Sequence, residues 1–209
     1  MKRILLLLCL ISYISNAQEE STNIDSVIDI TSAEEFLKTN KRKGNKLITF
    51  NEEKHKTILA KDLFKMSIGS KKTNENSFEK TSYKIIEKNM VPHYRMSYIL
   101  LNGKNEDPAT IQGTIKQIIN AYDKGAPFEF LAKKYSVANN ANRGGDTGWF
   151  GKEEVYSFFS VDVTEDLYME KELYTLENDK NGLYYIVLNT FKPKEIKEIK
   201  VLKIVEPKI

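Results

Sequence analysis

The sequence predicts an α+β fold, and three observations carry that prediction. Residues 95–101 (Arg-Met-Ser-Tyr-Ile-Leu-Leu) form a short apolar run of strand length. After Pro108, the residues Ile111, Ile115, Ile118, Ile119 and Tyr122 recur at helical spacing, as one stripe of an amphipathic helix. Residues 172–177 and 183–189 then make two apolar runs around Asn178 to Gly182, the pattern of a hairpin. Strand, helices, strand, helix and two strands in that order are an α+β domain rather than a parallel βαβ array.

Taken in order, the elements begin with a segment whose composition is about targeting rather than folding. Lys2 and Arg3 precede an apolar run from Ile4 to Ile14, and Ser15, Asn16 and Ala17 place small residues before a cleavage point. This is the layout of a secretory signal peptide covering residues 1–17. The run of 11 residues falls well short of the roughly 20 that a membrane-spanning helix needs. Leu8 precedes Cys9 where a lipoprotein signal needs a small residue, so cleavage is expected after Ala17. The mature chain is then expected to be exported, to the periplasm or beyond, with no stable membrane insertion.

Residues 18–91 read as an N-terminal extension. Its first residues, 18–30, are polar and aperiodic and are expected to be a flexible leader. Ser32 is placed to cap a helix whose first turn holds Glu34 and Glu35, with Phe36 and Leu37 as apolar contacts. Leu47 to Phe50 is a strand candidate. Asn51 is placed to cap a helix over 52–66 bearing Ile58, Leu59, Leu63, Phe64 and Met66. Gly69 to Asn76 reads as a loop and residues 80–89 as a strand running towards the next domain.

Charge and cysteine content exclude several function classes. Cys9 is the single cysteine and leaves with the signal peptide, so the mature chain has no disulfide, thiolate nucleophile or cysteine metal site. Without Lys2 and Arg3 the formal charge falls from +3 to about +1, which gives no case for nucleic-acid binding. No phosphate-binding glycine loop, His/Cys cluster or base beside a serine is present, so no cofactor or metal is expected.

Within residues 92–190, four stretches together resemble the parvulin (PpiC-like) family of peptidyl-prolyl cis-trans isomerases. They are Ser97-Tyr98-Ile99-Leu100-Leu101, Gly125 to Ser136, Arg143-Gly144-Gly145-Asp146-Thr147-Gly148-Trp149-Phe150, and Tyr184-Tyr185-Ile186-Val187. Read on their own terms, Gly144 and Gly145 permit a positive-φ turn into a strand and Asp146 can hold that turn through nearby backbone donors. The resemblance implies an antiparallel four-stranded sheet flanked by helices, preceded here by a small α/β extension and followed by a C-terminal strand or tail over 191–209.

It also implies catalysis of rotation about X–Pro bonds, whose barrier is about 18–20 kcal/mol. Such a site holds proline in an apolar slot and favours the twisted amide without covalent chemistry. Carried over by position, the slot falls on Thr147, Val155 and Phe159, with Trp149 beside them. The two histidines usual in the family fall on Tyr98 and Tyr185, and its Cys or Asp position falls on Val137 or Ala138. A tyrosine pair can hydrogen-bond while keeping the pocket apolar, so Tyr98 and Tyr185 are the catalytic candidates, and with the family's polar set replaced the slot is expected to survive with weak activity or none. His55 and His93 lie outside the matching positions and are expected to be exposed or incidental. The implied partners are unfolded or proline-containing segments of exported proteins. The alternatives are a non-catalytic peptide-binding chaperone and a structural subunit of an envelope complex docked through residues 31–90.

Overall fold

The computed structural model of the protein describes residues 23–159, 173–178 and 180–208, so the expected signal peptide lies outside the described residues. It contains two antiparallel sheets with helices on their faces, which bears out the α+β class.

The first sheet joins the two ends of the described chain. Strands β1 (Lys46–Asn51), β8 (Lys194–Pro207), β3 (Glu79–Tyr94) and β2 (Lys71–Glu75) lie in the order β1-β8-β3-β2, and β5 (Phe150–Gly151) pairs with the end of β3. The β3–β8 ladder runs from Glu79 opposite Pro207 to His93 opposite Lys194, with a register shift between Ile85 and Glu87. Both faces are covered. Helix α2 (Ile58–Lys65) brings Ala60, Leu63 and Phe64 onto Phe50, Ile85, Ile199 and Val201. Helix α1 (Ile30–Thr39) brings Ala33 and Phe36 onto Ile86, Leu202 and Ile204.

Several local details differ from the sequence reading, each for a physical reason. Asp29, not Ser32, caps α1: it accepts from the Ser32 N–H at 2.8 Å, while Ser32 closes a capping box from the third helical position. The helix therefore starts inside the stretch expected to be a flexible leader. Asn51 does not cap a long helix over 52–66; its side-chain amide oxygen accepts from the Glu53 and Lys54 N–H groups in a turn, and α2 begins later with Thr57 as its cap. The polar stretch expected as a loop supplies β2, because an edge strand with one pairing partner needs no apolar side chains.

The second sheet has the order β4-β7-β6, from β4 (Ser97–Asn102), β7 (Leu183–Leu188) and β6 (Leu173–Asn178). Among the described residues it has three strands rather than four: the segment after the Gly-Gly turn touches β4 through a single bridge, Ser97 to Asp146, and then leaves to pair with β3. Alternation along these strands sorts the side chains onto two faces. Ile99, Leu101 and Ile186 face α3 (Pro108–Asp123) and α4 (Phe128–Tyr135), where Ile111, Ile115, Ile118, Phe128 and Leu131 complete a core. Met96, Tyr98, Tyr185 and Val187 face the other way. Asp107 caps α3 and Pro108 occupies its first turn, where the missing N–H costs nothing.

Candidate functional site

Four residues singled out by position meet on that second face. Tyr98 and Tyr185 come from adjacent strands, with Leu100 opposite Tyr185 and Tyr98 opposite Val187, so the two tyrosines are diagonal neighbours. Their ring centroids are 6.0 Å apart. Phe159 closes the triangle at 5.2 Å from Tyr98 and 5.6 Å from Tyr185. Val155 joins them from the 3-10 turn Lys152–Ser157, whose carbonyl at Val155 accepts from the Phe158 and Phe159 N–H groups at 3.0 Å each. Tilted rings at these separations are the attractive arrangement for aromatic pairs.

The cluster is well packed: Tyr98 is 7% exposed, Val155 4%, and Phe159 and Tyr185 1% each. Burial pushes the Tyr98 phenol above the usual tyrosine range, and the neighbouring Tyr185 adds to the effect. Tyr98 is therefore a neutral donor. Of the two candidates for the family's Cys or Asp position, Ala138 packs against the cluster, whereas Val137 is exposed. Met96, Phe150 and Val187 share the cluster and were not singled out as site residues; for Met96 and Val187 the signal was the same period-2 alternation that places Tyr98 and Tyr185.

The Gly-Gly-Asp turn holds the strand that carries Tyr98. Gly144 and Gly145 have φ of +73° and +76°. At Gly145 a Cβ would lie 2.2 Å from the Tyr98 carbonyl oxygen, so a side chain there is sterically barred. The Tyr98 N–H donates to the Gly145 carbonyl at 3.0 Å. Asn140 donates from its amide to the same carbonyl at 2.7 Å. Asp146 accepts from the Gly148 N–H at 3.0 Å, as the turn reading requires, and also takes both arms of Arg95 at 2.9 and 2.7 Å. The Arg95 guanidinium, opposed by partial burial, holds the Asp146 carboxyl below the usual carboxylate range. Arg95 was missed in sequence because nothing in its neighbourhood marks a partner 51 residues on.

The other two predicted slot residues sit elsewhere. Thr147 donates from its hydroxyl to the Met96 carbonyl at 2.9 Å and accepts from the Met96 N–H at 3.2 Å, so it ties the turn to the start of β4. Trp149 lies outside the cluster, with its ring 5.8 Å from Phe191 and the Lys194 ammonium 4.4 Å over it. His93 is not exposed: it is fully buried at the end of β3, where it meets Asn51 and the Val91 carbonyl, each at 2.8 Å. His55 packs edge-on to Phe50 with centroids 5.2 Å apart. Among the described residues no group of three or more His, Cys, Asp or Glu could hold a metal ion.

Residues 80–181 match the sequence model of the PPIC-type PPIASE domain. Over 78 residues the chain is 31% identical to the chaperone SurA of Vibrio vulnificus (strain YJ016), covering 37% of this chain and 18% of that protein. Over 59 residues it is 41% identical to the foldase protein PrsA of Bacillus subtilis (strain 168), covering 28% of this chain and 18% of that protein. Among solved structures it is similar to a PpiC-type peptidyl-prolyl cis-trans isomerase domain (23% identity, TM-score 0.42, 50% of this chain and 94% of that one). It is also similar to PrsA from Bacillus subtilis (27% identity, TM-score 0.37, 48% of this chain and 35% of that one). The chain carries a PpiC-type, parvulin-like domain. It spans less than a fifth of the length of the curated relatives it matches.

Proposed function

We propose that the protein is a peptidyl-prolyl cis-trans isomerase that assists the folding of exported proteins, acting on proline-containing segments at the face built by Tyr98, Tyr185, Val155 and Phe159. One observation carries this reading: residues from three separate stretches of the sequence, at the family's slot and histidine positions, converge beside the Gly-Gly-Asp turn, the Tyr98, Tyr185 and Phe159 rings with centroids 5.2 to 6.0 Å apart and Val155 in the same cluster. Val155 and Phe159 are the apolar wall for the proline ring. The Tyr98 phenol, neutral across the physiological range, is the donor available to an amide whose nitrogen gains lone-pair character as it twists. The sequence layout of residues 1–17 supports export and a periplasmic site of action.

A second reading has its own support. With Phe159 and Tyr185 almost fully covered and both family histidines replaced by tyrosine, the same face also suits a non-catalytic chaperone that binds proline segments without turning them over. Exchange NMR on an Ala-Ala-Pro-Phe peptide separates the two. The isomerase reading expects cis/trans exchange faster than the peptide alone, reduced at least tenfold by Tyr98→Phe, which keeps the ring and removes the hydroxyl. Exchange no faster than the blank, from protein shown to be folded, would leave the chaperone reading.

A further inference from the structure

A second cavity, of about 710 Å³, lies apart from the aromatic cluster, over the polar end of the first sheet. We propose that it binds an arginine side chain presented by an extended peptide segment. This inference stands independently of isomerase activity.

The irregularity in β3 sets which of its residues face the cavity. The register shift after Ile85 puts Glu87 opposite Lys200 and Asn89 opposite Glu198. A bulge of this kind re-aims every later side chain of its strand. Glu87, Asn89, Val91 and His93 thereby share a face with Thr49 and Asn51 of β1 and with Glu198 and Lys200 of β8. The residues Gly151–Glu154 and Tyr94 close one side of the cavity.

Its charges are arranged around two carboxylates on neighbouring strands, Glu87 and Glu198. The Asn51 side-chain oxygen accepts from two backbone N–H groups, so its amide nitrogen must face His93 and Glu198. The His93 Nδ1–H donates to the Val91 carbonyl at 2.8 Å, which leaves Nε2 to accept from Asn51. Nε2 also lies 3.2 Å from Glu198. Among the described residues Glu198 has no Lys or Arg within 4 Å, whereas Glu154 is matched by the Lys54 ammonium at 2.6 Å. Glu87, diagonal to Glu198, pairs only loosely with Lys200 at 3.6 Å. Its Oε1 accepts from the Asn89 amide, while its Oε2, the oxygen that faces Lys200, is buried and makes no hydrogen bond, so a closer donor would satisfy it.

Arginine fits this combination in both its parts. A planar guanidinium offers several donors at once and can bridge two carboxylates on neighbouring strands, which a single ammonium does less well. Its aliphatic stem can lie along Val91, Pro92 and Tyr94 at the cavity wall. The volume also leaves room for flanking peptide backbone.

The test is a titration of the ¹⁵N-labelled chain with acetyl-Ala-Arg-Ala-amide, followed by amide chemical shifts. The probe contains no proline, so its outcome does not bear on the isomerase reading. The expected result is saturable shifts at Val91, His93, Tyr94 and Gly151. Binding should weaken at least tenfold when citrulline replaces arginine, and at least tenfold in Glu198→Gln, which keeps the acceptor for Asn51. Should that variant misfold, Glu87→Gln and the citrulline comparison carry the same expectation. Equal binding of citrulline, shifts confined to other residues, or no binding at all would overturn the proposal.

Discussion

β3 and β8 pair residues as far apart in the chain as Glu79 and Pro207, whereas β6 and β7 are joined by a short turn and β4 to β7 bracket one helical pair. The first sheet is covered on both faces by α1 and α2 and has a polar cavity at one end. The second is covered by α3 and α4 on one face and presents its aromatic cluster on the other. The first sheet is therefore a closure of the whole chain, and the second a nearly self-contained module. Several contacts tie them: β5 lies on the end of β3, Lys54 reaches Glu154 in the turn that carries Val155, and Lys194 of β8 lies over the Trp149 ring.

The largest expected effect tests the closure. Deleting Lys194–Lys208 removes the strand between β1 and β3, with its buried Ile199, Val201, Leu202 and Ile204, and uncovers their partners Phe50, Ile85 and Ile86. Cooperative thermal unfolding should be lost and the protein should aggregate. A deletion variant that still melted in one sharp transition would show that the first sheet is dispensable and break the comparison.

Next in size come changes inside the module. Phe159→Ala empties the centre of the aromatic triangle and should cost about 3–5 kcal/mol in urea unfolding. Gly145→Ala forces a side chain into a left-handed turn against the Tyr98 carbonyl and should cost at least about 1–3 kcal/mol. Values below about 0.5 kcal/mol for both would mean that the cluster and its turn do not support the module.

The smallest effect is on acid stability. Asp146 has its folded carboxyl held below the ordinary value, so its contribution is present above the unfolded value of about 3.9 and fades as pH falls through the lower folded one. Asp146→Asn should lower stability at neutral pH and flatten the decline below about pH 4. An unchanged pH profile would show that the Arg95–Asp146 pair is energetically silent, as many partly exposed pairs are.

The same contrast explains what could be read from sequence. The module was legible because its signals are local: alternation placed Tyr98 and Tyr185 on one face, and the glycine pair marked a turn whose φ values are positive. The first sheet was not, because its partners are distant. Nothing near Lys194 announces that it lies opposite His93, and a polar edge strand such as β2 carries no hydrophobic period. Buried His93 read as incidental for the same reason, since Asn51 and Glu198, which satisfy it, come from the two ends of the chain. Trp149 shows the limit of positional transfer: its neighbour Phe150 turned towards β3, and the indole followed Phe191 and Lys194 rather than the cluster.

The central claim, that proline segments dock on the aromatic face of the module, is tested most directly by methyl and aromatic NMR of the chain with a saturating Ala-Ala-Pro-Phe peptide. The account predicts intermolecular contacts from the proline ring to Val155 and Phe159, together with shifts of the Tyr98 ring. Proline contacts confined to other surfaces, or none at millimolar peptide, would contradict it.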